Sequence, residues 1–263
     1  MRRRRREATG GDGWDTDVAS GLALAGFLTL VFVAVTLLAM GPLAKFDAYF
    51  TLAPPPEPWR PVLHVVDRIG QRAVCLPILA VVALMLSWRH ATWRPAVVAM
   101  IAVFGLNLTV LILKVVLGRE GPYTVDPSFF NGGMAYPSGH SANIVLVYGL
   151  IVYLVSRYSR PSRRTVGLLW GAVGALAIAM LITSLTLDWH WFADLVAGFI
   201  VGGIVLEVTA SVDRALPALE LGGGWRAAAA ELAHPLRLMR SGGSAQRLAD
   251  TERVAEVPGS SAK

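Results

Sequence analysis

The chain has 263 residues, 54% of them hydrophobic and 16% charged, and carries a net charge of +6. So apolar and charge-poor a composition excludes an ordinary water-soluble domain. The basic excess does not indicate nucleic acid as a partner, because the arginines fall in alternate connecting segments, as topology signals and lipid-headgroup contacts do.

A helix needs roughly 20 mainly apolar residues to cross a hydrocarbon core about 30 Å thick. Backbone groups cannot stay unpaired in lipid, so apolar runs of this kind read as helices. Six runs qualify, at about 20–41, 73–88, 95–117, 141–156, 165–187 and 192–212. The expected fold class is all-α, an integral membrane bundle of six transmembrane helices.

In chain order, residues 1–16 form an Arg- and Gly-rich arm that is expected to be disordered. The first run follows a polar stretch and is too long for the core of a cleaved signal peptide, so it reads as a retained helix. The loop 42–72 is broken by Pro54-Pro55-Pro56, and Pro61 to Arg72 reads as a short interfacial helix. Cys75, the only cysteine, lies inside the second run and reads as a small buried hydrophobe. The six-helix membrane domain spans 17–212. The tail, 213–263, is expected to lie partly on the membrane as an amphipathic helix and then to be disordered.

Arginines cluster at Arg2–Arg6, at Arg89 and Arg94, at Arg157, Arg160, Arg163 and Arg164, and after Arg214. The positive-inside rule makes those segments cytoplasmic, both termini included. The loops 42–72, 118–140 and 188–191 then face outward. A multi-pass protein of the cell membrane is expected, in contact with membrane lipids.

Three polar constellations fall on that outer face. Lys114 interrupts the apolar run Leu111 to Leu117, where an ammonium is costly and usually functional. Arg119 follows, and a guanidinium suits phosphate through bidentate hydrogen bonds. Ser138-Gly139-His140 opens the fourth run, with Ser138 as a helix cap and Gly139 allowing an anion close to the backbone. His140 is suited there to give a proton to a leaving oxygen. His190 and Asp194, four apart, share one helix face. The carboxylate can fix the imidazole tautomer and leave the other ring nitrogen free to attack. The pair is also half of a metal site, but no cysteine, second carboxylate or further histidine has ligand spacing, so no metal is expected.

Together these motifs resemble the type 2 phosphatidic acid phosphatase superfamily of membrane lipid phosphatases. Its pattern is Lys, six residues, Arg-Pro; then Pro-Ser-Gly-His; then Ser-Arg, five residues, His, three residues, Asp. The resemblance covers about 17–212 and implies His190 as nucleophile, Asp194 as its orienting carboxylate and His140 as general acid. It implies Lys114, Ser138 and Gly139 as phosphate-binding residues. It implies no cofactor, since fixed positive charge and hydrogen bonds stabilise the transferring group. Two family arginines are missing, replaced by Gly121 and Ser184. Arg119, where many members carry an extra arginine, and Arg72, at the outer start of the second run, are the candidate substitutes.

The expected activity is hydrolysis of a lipid phosphate monoester or pyrophosphate, with polyprenyl pyrophosphate as best guess, through a phosphohistidine at the extracytoplasmic face. The alternatives are a lipid phosphotransferase and a non-catalytic member that only binds lipid phosphates. A transporter fits less well, because the charges sit at helix ends rather than at the bilayer midplane.

Overall fold

The structure, a computed structural model, describes residues 8–42, 44–50, 55–124 and 126–216. Expectations for 1–7 and for the tail from 217 onward lie outside the described residues. The described residues are helical and connecting segments, without strands. Helix α1 spans Ala8–Met40 and α2 spans Ala44–Tyr49; α3 spans Arg60–Arg68, α4 Arg72–His90 and α5 Arg94–Leu117. The fourth span is built from α6 (Gly139–Asn143), a π turn (Ile144–Tyr148) and α7 (Gly149–Ser159). Helix α8 covers Arg163–Thr186 and α9 covers Phe192–Ala215.

Six helical segments are long and apolar enough to cross a membrane, from Asp17–Met40 to Phe192–Ala215. They coincide with the six runs expected from composition, and the fourth extends back to Gly139 with Ser138 as its N-cap. One expectation is corrected. Residues 8–16 are helical rather than part of a disordered arm. Extending an existing helix escapes the cost of nucleating a new one, so the first span grows backward.

The core lies where α4, α5, the fourth span and α9 meet. Leu79 and Leu86 of α4, Leu106 of α5, Leu146, Leu150 and Leu154 of the fourth span, and Val201 and Leu206 of α9 are all buried there. Cys75 is fully buried in the same cluster. Helix α8 turns Leu168, Trp170, Ile178 and Ile182 outward, an apolar surface that lipid satisfies and water does not.

The fourth span approaches α9 closely because α9 carries glycine at the contact. A β-carbon at Gly198 would stand 2.4 Å from the Ser138 carbonyl oxygen, and one at Gly202 would stand 2.6 Å from that of Ala142. At the opposite end of α9, Asp213 accepts hydrogen bonds from Arg94 Nε (2.7 Å) and the Tyr153 hydroxyl (2.6 Å). Arg157 Nε lies 3.2 Å from the same carboxylate. α5, α7 and α9 are thereby joined at the end away from the histidines.

Candidate active site

Four chain segments converge at one end of the bundle: the start of α4, the last turn of α5, the start of α6 and the residues just before α9. Between them lies a cavity of about 500 Å³. It is lined by Gln71, Arg72, Lys114, Gly139, His140, Asn143 and His190, among others. Five of the sequence-derived candidates thus share one cavity: Arg72, Lys114, Gly139, His140 and His190.

Ser138 caps α6, its hydroxyl accepting from the Ser141 N–H at 3.4 Å. Its own N–H donates to the Asp194 carbonyl at 2.9 Å, which ties the motif to α9. Because that side chain is buried and spent on the cap, Ser138 does not line the cavity, contrary to its expected phosphate contact. A β-carbon at Gly139 would meet open space, so the backbone is accessible there. Lys114 Nζ donates to the Met134 carbonyl.

Asp194 occupies the third position of α9 and is fully buried. Its Oδ2 lies 3.4 Å from His190 Nδ1 and accepts the Trp191 N–H at 3.0 Å. With Nδ1 facing the carboxylate, Nε2 is the nitrogen left available. On the other side of the cavity, His140 Nε2 lies 3.8 Å from Oδ2 of the buried Asp67, which also accepts from Gln71 Nε2 at 2.9 Å. Asn143 Nδ2 donates to the Gly70 carbonyl at 3.0 Å and the Tyr148 hydroxyl to that of Ile69, also at 3.0 Å. These bonds hold the turn before α4, and with it Arg72, against the fourth span.

Arg119 is the main correction. It does not line the cavity and has no exposed surface. The chain leaves α5 through Gly118 in the left-handed region (φ +50°), and Arg119 turns inward. One terminal nitrogen donates to Asp194 Oδ1 at 2.6 Å and the other to Asp47 Oδ2 at 2.5 Å. Nε donates to the Pro127 carbonyl at 3.0 Å. The guanidinium lies 4.8 Å from the ring centre of Phe129 and 5.7 Å from that of Trp191. Two buried carboxylates and an aromatic box outcompete a phosphate site for this charge.

Burial pushes the Asp47 carboxyl above the ordinary carboxylate value, against the opposing pull of Arg119 and the Ala193 N–H. Burial pushes the Tyr136 hydroxyl up to about 12; it shares a 2.6 Å hydrogen bond with Thr36.

Neither position that lacks a family arginine has an empty slot. The Tyr123 ring lies 2.6 Å from where a Gly121 β-carbon would be. Ser184 is buried, its hydroxyl directed to Met180 Sδ at 3.5 Å. Among the described residues, the lysine and arginine lining the cavity are Lys114 and Arg72. A second crevice, of about 250 Å³, runs between α4 and α5 and is lined only by Leu, Ala, Met and Val side chains.

Asp47 and Asp67 had no sequence signal. Each is a lone carboxylate in the loop 42–72 without a motif around it.

The PAP2 superfamily profile matches residues 92–216. Phosphatidylglycerophosphatase B of Bacillus subtilis (strain 168) is 24% identical over 160 residues, covering 60% of this chain and 77% of the relative. The crystal structure of a transmembrane PAP2 type phosphatidylglycerolphosphate phosphatase from Bacillus subtilis superposes with a TM-score of 0.63 at 19% identity. That match covers 74% of this chain and 98% of the solved one, and it bears on the fold.

Proposed function

Because residues 92–216 match the PAP2 superfamily profile, we propose that this membrane protein is a lipid phosphatase working through a phosphohistidine. The observation that carries the reading is the convergence of His190, His140, Lys114 and Arg72 on one cavity, with Asp194 behind His190.

In the first step Nε2 of His190 attacks the phosphorus in line with the lipid oxygen. The N–P bond forms as the P–O bond breaks, and His140 gives its proton to the departing oxygen. The imidazole becomes positively charged as it is phosphorylated, and the Asp194 carboxylate stabilises that charge. In the second step water attacks the same phosphorus and His140 takes its proton. Inorganic phosphate leaves and His190 is regenerated. Lys114 and Arg72 offset the negative charge of the transferring group, and the Gly139 backbone gives it close access at the start of α6. Ser138 supports that turn rather than touching the phosphate.

The membrane-length helices favour a lipid substrate, since Arg72 opens one span and Lys114 lies in the last turn of the next. The terminal phosphate of a polyprenyl pyrophosphate and the monoester of phosphatidylglycerol phosphate present the same reacting group. Basic loops at the far end support a reading with the cavity at the extracytoplasmic face and both termini cytoplasmic.

Phosphate release from purified protein is to be measured on polyprenyl pyrophosphate, phosphatidylglycerol phosphate and phosphatidic acid, beside His190→Ala. The wild type should hydrolyse at least one, and His190→Ala should lose about 10⁴-fold or more. Equal release by both proteins rules the reading out. Formation of a new phosphoester on adding an acceptor alcohol, without free phosphate, would make it a transferase.

A further inference from the structure

We propose that Asp47 is a positioning residue for the His190–Asp194 pair, acting through Arg119. The inference rests on the reading of His190 as nucleophile. Asp47 lies on α2, outside the residues that match the family profile.

The charge arrangement carries it. Asp47, Arg119 and Asp194 form a chain of two ion pairs, at 2.5 and 2.6 Å. Side-chain exposures are 3% for Asp47 and 0% for both Arg119 and Asp194. A guanidinium can grip one carboxylate with two parallel bonds. Here it is split between two acids, so Asp194 receives a single bond from it. With Asp47 and Asp194 both ionised, as two ion pairs to Arg119 require, the three groups carry one net negative charge. That charge borders His190, the ring that becomes cationic when its Nε2 bonds phosphorus. Without Asp47, both terminal nitrogens of Arg119 are free to turn onto Asp194. The carboxylate would then be neutralised by the arginine rather than held for the imidazole.

Asp47 also fixes the place of the pair. Its Oδ1 accepts the Ala193 N–H at 2.8 Å, in the first turn of α9. Phe50, just beyond α2, stacks on Phe192 with ring centres 4.3 Å apart. The segment after the first span thus holds both the backbone that carries Asp194 and the counter-ion that divides its charge.

The test uses the full chain in detergent–lipid micelles, with whichever lipid phosphate the wild type hydrolyses. Asp47→Asn keeps the shape and an acceptor for the Ala193 N–H but loses the charge. Its kcat should fall about 10–100-fold, the usual cost of losing an outer partner of a reacting group. KM should stay within about twofold, because the cavity cations are untouched. Asp47→Glu should recover part of kcat. An unchanged kcat in Asp47→Asn overturns the proposal, as does a raised KM at unchanged kcat. If thermal unfolding shows that Asp47→Asn does not fold, Asp47→Glu decides: lowered kcat at constant KM supports the role, and wild-type kcat overturns it. An inactive wild type refutes the phosphatase reading itself, and the inference falls with it. An active wild type with silent His190→Ala and fully active Asp47→Asn removes the inference alone.

Discussion

Arg72 lines the cavity with its side chain exposed, across from Lys114 on the neighbouring helix. With Gly121 and Ser184 where the family has arginines, Arg72 is the cavity guanidinium that the proposed reaction would use on a transferring phosphate. Arg72→Gln should lower kcat/KM by about 10²–10³-fold, the cost of one charged donor in such a site. Arg72→Lys should recover part of it, keeping the charge but not the fork. Steady-state phosphate release measures both. The sequence marked His140, His190, Asp194 and Lys114 as candidates because each opens or interrupts an apolar run. Arg119 was legible as a functional arginine, but its target was not. The turn at Gly118 decides where the side chain goes, and the acids awaiting it sit 72 and 75 residues away. Asp67, beside His140, has the same difficulty: a lone carboxylate acquires meaning only from what the fold brings to it.

At the scale of elements, α9 holds the motif turn in position through glycine. Gly198→Ala would put a methyl group 2.4 Å from the Ser138 carbonyl oxygen, and backbone cannot move aside as a flexible side chain can. The substitution should destabilise the protein by about 1–3 kcal/mol and reduce activity, since Ser138 and Gly139 lead into His140. Gly174→Ala on α8 meets nothing within 4 Å and should be neutral or slightly stabilising. Unfolding midpoints and turnover of the two variants make the comparison. The six spans were readable from length and hydropathy, because lipid imposes both. The π turn within the fourth span was not. Ile144-Val145-Leu146-Val147-Tyr148 has no composition that separates i→i+5 bonding from i→i+4, and the segment packs against α4 and α9, which sequence does not reveal. The short α2, which carries Asp47, has no periodicity long enough to read.

For the whole molecule, the cavity end and the arginine-rich end are opposite, and the proposed orientation puts the cavity end outside by the positive-inside rule. Cys75 is buried, so single cysteines introduced on loops can be mapped against a quiet background. Ser128→Cys, between α5 and α6, should react with a membrane-impermeant maleimide on intact cells. Ser159→Cys, at the end of α7, should react only after the membrane is opened. The reverse pattern would turn the site to the cytoplasm. Helix α9 is fixed at both of these ends, by Asp194 to Arg119 and by Asp213 to Arg94 and Arg157. At 1.5 Å per residue the two acids stand about 28 Å apart, close to the thickness of a hydrocarbon core. A span anchored at one end can slide or tilt to suit a thinner or thicker bilayer, but this one cannot slide without breaking an ion pair at each terminus. Hydrophobic mismatch therefore has to be absorbed by the surrounding lipid, which must stretch or compress around a helix of set height.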